Sequence, residues 1–188
     1  QDYDMESSET ETQSLAETIE GTSVLVEGDG GKSDLLYLDT VIIRPGWGNA
    51  RDNNFYPREM LARDSEKFIG AKMYETDHRQ EEKSTRTWVS TIESIKGYTD
   101  DGAPIARVVV HDPDFAQRIR NLNAAGLIEK MECSILAEGR AKPFEQDGKR
   151  GKLVEQITGV SSVDWVTKAG AGGRAVGLSE SNTGGEQS

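Results

Sequence analysis

One serine stands in the middle of a short β-type run, residues 131–140 (MECSILAEGR), and its hydroxyl group is a candidate nucleophile. Side chains along a strand alternate between its two faces. Cys133 falls on the face with apolar neighbours, which is typical of a core, so we predict a small buried thiol and not a reactive one. Ser134 falls on the opposite face, whose mixed composition is expected where a strand lines a cleft.

A serine hydroxyl becomes a good nucleophile only when a base takes its proton, and histidine is the usual base near neutral pH. The chain has two histidines. His111 directly precedes Asp112 and Pro113, where we expect it to help cap a helix. His78 follows a short strand-like run, stands in a polar segment and belongs to no apolar stripe. We therefore predict that His78 is the base of Ser134; the alternative is an exposed loop histidine.

A carboxylate and a glycine cluster near the end of the chain complete this set. Asp164 stands in an apolar strand-like run, residues 160–166, where an ionised carboxylate is costly without a partner. An imidazole N–H is such a partner in a Ser-His-Asp triad; the alternative is an aspartate that caps a turn at the strand end. Gly170 and Gly172 follow, and their backbone N–H groups are candidates for stabilising an oxyanion.

Composition and charge argue against several other functions. The 188 residues fit one domain. The net charge of −11, from 22 basic and 33 acidic residues, argues against nucleic acid as a partner. No apolar run approaches the length of a membrane span. Two isolated histidines, without a second ligand one helical turn away, predict no metal site. The single cysteine, Cys133, excludes an internal disulfide and agrees with a reducing cytoplasm.

The two ends of the chain differ in composition from its middle. Residues 1–20 are acidic and rich in Ser and Thr, so we expect a disordered arm, and residues 177–188 are expected to form a flexible tail. Residues 21–176 form the predicted domain. About seven strand-like runs, interrupted by helical segments at residues 55–68 and 112–126, predict a β-rich α+β fold. We expect a small curled sheet or β-barrel with the helices packed outside.

Four segments, in this order and at this separation, carry a resemblance to a known family. They are PGWGNARDNNFYPREML (45–61), KMYETDH (72–78), CSILAEGRA (133–141) and VSSVDWVTKAGAGG (160–173). The chain resembles the prohead maturation proteases of tailed bacteriophages, which are grouped with the herpesvirus assemblin-type serine proteases. The resemblance spans residues 35–176 and is most specific in the last two segments. It implies an assemblin-like fold.

The resemblance assigns the family's functional residues to positions of this chain. Its nucleophile falls on Ser134 and its base on His78. The third member is a histidine in the herpesvirus branch and an acid in phage branches, so it falls on Asp164, with Glu155 on the same strand as the alternative. Many relatives have a small or apolar residue just before the serine, where this chain has Cys133.

The activity implied by the resemblance is that of a serine endopeptidase that uses no metal and no organic cofactor. Its implied substrates are the precursors of the phage scaffold and major capsid protein, and its own termini. Its implied location is the assembling procapsid in the host cytoplasm, with self-association as a homodimer or higher oligomer. Two alternatives remain: a non-catalytic capsid assembly or scaffolding factor on the same fold, and an acidic β-barrel interaction module with no catalytic role.

Overall fold

The computed structural model describes residues 10–21, 23–26, 35–76 and 83–166. Within these ranges, ten strands form two five-stranded sheets. The first sheet contains, in spatial order, β1 (Glu11–Glu20), β9 (Glu132–Gln146), β10 (Lys149–Val166), β5 (Asn54–Tyr56) and β4 (Gly46–Trp47). The second sheet contains, in spatial order, β2 (Ser23–Val26), β3 (Leu36–Val41), β8 (Pro104–Val110), β7 (Trp88–Tyr98) and β6 (Lys72–Tyr74).

Two α-helices and short 3-10 turns connect the strands. Helix α1 (Arg58–Asp64) runs directly into a 3-10 turn, Ser65–Phe68. Helix α2 (Pro113–Ala124) is followed by a second 3-10 turn, Ile128–Lys130. One apolar core unites residues of both sheets and both helices, and it includes the fully buried Leu38, Leu61, Ile119, Ile135 and Val163.

The start of α2 follows from its sequence. The Asp112 carboxylate accepts a hydrogen bond from the Phe115 N–H at 2.8 Å, and Pro113 occupies the first turn, where its missing N–H is not needed. The expectation that His111 helps to cap this helix is wrong. Its Nε2 atom lies 3.1 Å from the Thr91 hydroxyl, on strand β7.

The β-rich α+β class is confirmed, but the barrel is not. In the part of the chain that the structure describes, the strands form two open sheets in place of one closed barrel of about seven strands. A parallel bridge between Glu75 and Trp165 joins the sheets at one corner. The described ranges contain more than the seven or so expected strands because β4 and β5 are too short to predict from alternation, and because β1 was not expected at all.

A disordered arm was expected over residues 1–20, and strand β1 shows that this expectation is wrong for residues 11–20; residues 1–9 lie outside the described residues. All ten residues of β1 pair with β9 in antiparallel register. Leu15 is fully buried, and the Glu17 carboxylate accepts hydrogen bonds from the Tyr56 hydroxyl at 2.8 Å and the Asn49 N–H at 2.7 Å. A few well-placed contacts therefore outweigh an acidic average composition. The expected tail, residues 177–188, lies outside the described residues.

Strands β9 and β10 form the long antiparallel hairpin that carries the candidate site. Their turn consists of Asp147 (φ 54°) and Gly148 (φ 81°). Two consecutive residues with positive φ form the tight turn whose twist matches a hairpin, which is why Asp-Gly is favoured there. Three register shifts interrupt the pairing between the turn and Ser162, and from there regular pairing continues to Val166.

Candidate functional site

Ser134 lies in the middle of a three-strand row in the first sheet. Its neighbour on β1 is Thr18, and its neighbour on β10 is Asp164. Directly paired residues of antiparallel strands project their side chains from the same face. The Thr18 hydroxyl donates a hydrogen bond to the Ser134 Oγ atom at 3.1 Å. Ser134 is 6% exposed and Asp164 is 5% exposed, whereas Thr18, at the outer end of the row, is exposed to solvent.

The two carboxylate oxygens of Asp164 have different surroundings. The Oδ2 atom lies 3.3 Å from the Lys83 ammonium, which also donates a hydrogen bond to the Ser162 hydroxyl at 2.9 Å. The Oδ1 atom is buried and has no hydrogen-bond partner within the described ranges. A buried acceptor without a donor is costly. The site therefore presents an unused acceptor beside the candidate nucleophile.

Glu155, the alternative acid, lies far from Ser134. It stands on β10 near the pair formed by Val154 and Ala141, and it makes an ion pair with Lys142 at 3.1 Å. The strand from Ser134 to Ala141, at about 3.3 Å per residue, is roughly 20 Å long. Of the two acids considered, Asp164 is the one that pairs with Ser134.

Cys133 is buried as predicted. It is 1% exposed, and its Sγ atom lies 3.9 Å from the Val41 carbonyl oxygen. Burial, together with the nearby Asp164 charge, raises the pKa of the Cys133 thiol to about 12. Because the thiolate is the reactive form, this thiol is a poor nucleophile at neutral pH.

Three predicted site residues, His78, Gly170 and Gly172, lie outside the described residues. The described chain nevertheless leads toward the candidate site at Thr76, two positions before His78. The Thr76 N–H donates a hydrogen bond to the Trp165 carbonyl at 3.1 Å, next to Asp164. Thr76, the last described residue before His78, is therefore hydrogen-bonded to the residue that follows Asp164.

Sequence reasoning missed two residues of the site, Thr18 and Lys83. Thr18 belongs to a segment whose composition predicted disorder, and no motif marks it. Lys83 stands in a polar, mixed-charge run, where nothing in the local sequence distinguishes it from solvent-exposed lysines. Both contacts depend on chain segments that are far apart in sequence, so a local pattern carries no signal for them.

An apolar groove of about 510 Å³ adjoins the site where β9 begins and β10 ends. Glu132, two residues before Ser134, is one of its lining residues, and burial together with the Glu20 charge raises the pKa of that carboxyl group. The groove is suited to an apolar side chain. Its apolar lining consists mainly of Phe115, Ile119, Leu122, Leu127, Trp165 and Val166.

No group of three or more His, Cys, Asp or Glu residues is arranged to hold a metal ion in the part of the chain that the structure describes. None of the helices found there has the length and apolar character needed to cross a bilayer.

The two sheets and their long hairpin reproduce the fold of a phage capsid assembly protease. The structure is similar to that of the bacteriophage T4 capsid assembly protease, gp21, with a TM-score of 0.56 and 18% sequence identity. The similarity covers 83% of this chain and 98% of the T4 protein chain. No family model matches the sequence, and no curated protein matches it. The resemblance to prohead proteases that the sequence motifs indicated is therefore confirmed at the level of the fold.

Proposed function

We propose that this protein is a serine endopeptidase of phage capsid maturation, with Ser134 as nucleophile, His78 as base and Asp164 as the third member. The observation that carries the proposal is the pairing of Ser134 with Asp164, whose Oδ1 atom is buried and has no partner among the described residues. Such an atom is an acceptor suited to an imidazole N–H. The fold shared with the T4 capsid assembly protease supports the same reading.

Chain connectivity supports His78 as the base. Thr76 is hydrogen-bonded to the Trp165 carbonyl. Consecutive Cα atoms are 3.8 Å apart, so two further residues reach at most about 7 Å. This distance allows the His78 ring to approach both Asp164 and Ser134. His111 is engaged with Thr91 on the other sheet and is not a competing candidate.

The proposed reaction is acyl transfer followed by hydrolysis. His78 removes the Ser134 hydroxyl proton as Oγ attacks a peptide carbonyl carbon. Asp164 accepts a hydrogen bond from the other imidazole N–H and stabilises the imidazolium that forms. Backbone N–H groups near Gly170 and Gly172 stabilise the tetrahedral oxyanion. His78 then protonates the leaving amine, and a water molecule, deprotonated by His78, releases the new carboxylate and restores Ser134. No metal or organic cofactor takes part.

The proposed substrates and partners follow from the same family resemblance. They are the precursors of the phage scaffold and major capsid protein, and the protease itself, either by trimming its own termini or by self-association. The proposed setting is the assembling procapsid in the host cytoplasm. The apolar groove at the start of β9 and the end of β10 is a candidate surface for holding an apolar side chain of the substrate.

The experiment follows the intact mass of a freshly purified full-length precursor over time, alone and co-expressed with capsid and scaffold proteins. The parent and Cys133→Ala are expected to trim themselves, whereas Ser134→Ala and His78→Gln are expected to stay whole. If Cys133→Ala stays whole while Ser134→Ala is trimmed, the nucleophile is assigned to the wrong residue. If every version stays whole under both conditions, the protease proposal fails.

One observation favours a second candidate, a non-catalytic capsid assembly factor on the same fold. Ser134 is 6% exposed and its Oγ atom already accepts a hydrogen bond from Thr18. An alkyl fluorophosphonate separates the two candidates, because it phosphonylates an activated serine with loss of fluoride and leaves an ordinary buried serine unmodified. Labelling of the parent but not of Ser134→Ala supports the protease, and labelling of neither supports the assembly factor.

A further inference from the structure

The strongest feature that the proposed mechanism leaves unused is the ammonium group of Lys83. Its Nζ atom lies 3.3 Å from Asp164 Oδ2 and donates to the Ser162 hydroxyl at 2.9 Å. The Tyr74 ring lies on another side, with its centroid 5.8 Å from Nζ. The amine is therefore held by a carboxylate, a hydroxyl and an aromatic face, and the carboxylate belongs to the residue that pairs with Ser134.

This ion pair differs from those on the surface of the protein. The side chains of Lys83 and Asp164 are 17% and 8% exposed. By contrast, Lys96 and Asp39 form a shorter pair at 2.6 Å, but the Lys96 side chain is 52% exposed. Exposed pairs contribute little because water screens them and their side chains remain mobile. A pair that is mostly buried is screened less and holds its geometry.

The two carboxylate oxygens of Asp164 have different roles in the proposed site. Lys83 engages Oδ2, and Oδ1 is left as a buried acceptor without a partner among the described residues. A carboxylate that is fixed through one oxygen cannot rotate freely, so the direction of the other oxygen is also fixed. The orientation of Oδ1 toward an imidazole thus depends on Lys83.

We propose that Lys83 is a positioning residue of the active site, which holds Asp164 so that Oδ1 is presented to the base. This inference rests on the proposed protease function. Within the described ranges, the Lys83 ammonium contacts Asp164, Ser162 and Tyr74 and makes no hydrogen bond to the Ser134 hydroxyl. Its positive charge lies 3.3 Å from the carboxylate with which the proposed imidazolium pairs, and a like charge opposes formation of that imidazolium.

The charge of Lys83 gives the inference a signature that a merely structural role lacks. Removing it favours protonation of His78, both by ending the repulsion and by freeing Asp164 to pair with the imidazolium alone. The acid side of the activity profile then moves to higher pH. For two unit charges that interact with the same carboxylate in a partly buried site, the shift is on the order of one pH unit. Lost positioning also lowers the plateau rate by about 10- to 100-fold.

The test measures the second-order rate of Ser134 phosphonylation by an alkyl fluorophosphonate, by intact mass, between about pH 5 and 9. The full-length parent is compared with Lys83→Met, Lys83→Arg and Lys96→Met. For Lys83→Met, we expect the acid side of the pH–rate profile to shift to higher pH and the maximal rate to fall. Lys83→Arg keeps the charge, so the acid side of its pH–rate profile is expected to match that of the parent. Lys96→Met loses a remote Lys–Asp pair, and we expect its profile to match that of the parent.

The outcomes separate this inference from the function on which it rests. If the parent is not labelled at Ser134 at any pH, the proposed function fails. If the parent is labelled and Lys83→Met has the same acid side of the profile and the same maximal rate, only the role of Lys83 is overturned. If Lys83→Met is folded but inert while His78→Gln is labelled, Lys83 is the base and not a positioning residue. If Lys83→Met does not fold, the comparison rests on Lys83→Arg. An acid side of its pH–rate profile that differs from that of the parent overturns the inference.

Discussion

Ser134 and Asp164 are opposite residues on neighbouring antiparallel strands, and their side chains leave the sheet from the same face. A nucleophile and an acid fixed in one row of a sheet have a separation set by strand spacing and not by loop conformation. In the proposed triad, the base comes from a different element. The chain that follows β6 is suited to supply it, because Thr76 is hydrogen-bonded to the residue after Asp164.

Removing the charge of Asp164 tests its place in the triad. In Asp164→Asn the side chain keeps its shape but loses the ion pair with Lys83, and its amide disfavours the required imidazole tautomer. We expect Ser134 phosphonylation to fall by about 10³- to 10⁴-fold. Glu155→Gln is the matched control on the same strand, and we expect it to keep the parent rate. The reverse pattern would assign the third member to Glu155.

Replacing Thr18 tests the contact from β1. Thr18→Val keeps the shape of the side chain but removes the hydroxyl that donates to Ser134 Oγ. A neutral hydrogen bond is worth about 1 kcal/mol, so we expect the phosphonylation rate to change by about 5-fold, with a small loss of thermal stability. Thr12→Val, on the same strand and pairing with Arg140, is the control. Equal rates in both variants would show that the Thr18 contact has no effect on the nucleophile.

Cys133 is expected to be inert in the folded protein. Its pKa of about 12 and its burial keep the thiol protonated and out of reach of reagents at pH 8. Ellman's reagent should therefore react with the native chain only slowly and with the chain in guanidinium at once. Cys133→Ala should keep the parent phosphonylation rate. Rapid labelling of the native thiol, accompanied by loss of activity, would contradict the assignment of Cys133 to the core.

Asp64 gives the stability a pH dependence of known sign. Burial raises the pKa of its carboxyl group, but hydrogen bonds from Arg63 and the Ile157 N–H, with the charge of Arg63, outweigh burial, and the net pKa lies below 3.8. Because the folded pKa is lower than the unfolded one, the ionised form stabilises the fold above the unfolded pKa. This contribution is lost as the pH falls through the folded pKa.

Asp64→Asn is therefore expected to lower the free energy of unfolding at pH 7 by about 1–3 kcal/mol. The difference from the parent should shrink as the pH falls below about 4. Urea unfolding at a series of pH values measures it. Asp147→Asn is a suitable control, because Asn tolerates the positive φ of 54° at that exposed turn. A difference between Asp64→Asn and the parent that is constant with pH would mean that the carboxylate charge contributes nothing.

Features that depend on neighbouring residues were predictable from the sequence. The alternation along β9 correctly assigned Cys133 to the core and Ser134 to the opposite face. Asp112 and Pro113 marked the start of α2, and the Asp-Gly pair marked the hairpin turn. In each case the physical cause lies within a few residues of the effect, so the sequence pattern contains it.

Features that depend on distant segments were not predictable. The direct pairing of Ser134 with Asp164 depends on the strand register, which three irregularities shift along the hairpin. No local sequence pattern predicts the total shift in register. The ion pair of Lys83 with Asp164 joins a polar loop to the end of β10. Strand β1 was missed because the composition was averaged over residues 1–20, whereas the fold uses the apolar Leu15 and the anchored Glu17.

The strand β1 also limits how far the amino-terminal end of this protein can be shortened. It covers the outer edge of β9 over its whole length, from Glu11 to Glu20. A cut within β1 would expose the unpaired edge of the strand that carries Ser134, and such an edge attracts other extended chains. It would also remove the Thr18 donor. Under the proposed self-trimming, a cleavage that keeps the Ser134 strand paired therefore falls ahead of Glu11, and the length of β1 sets that limit.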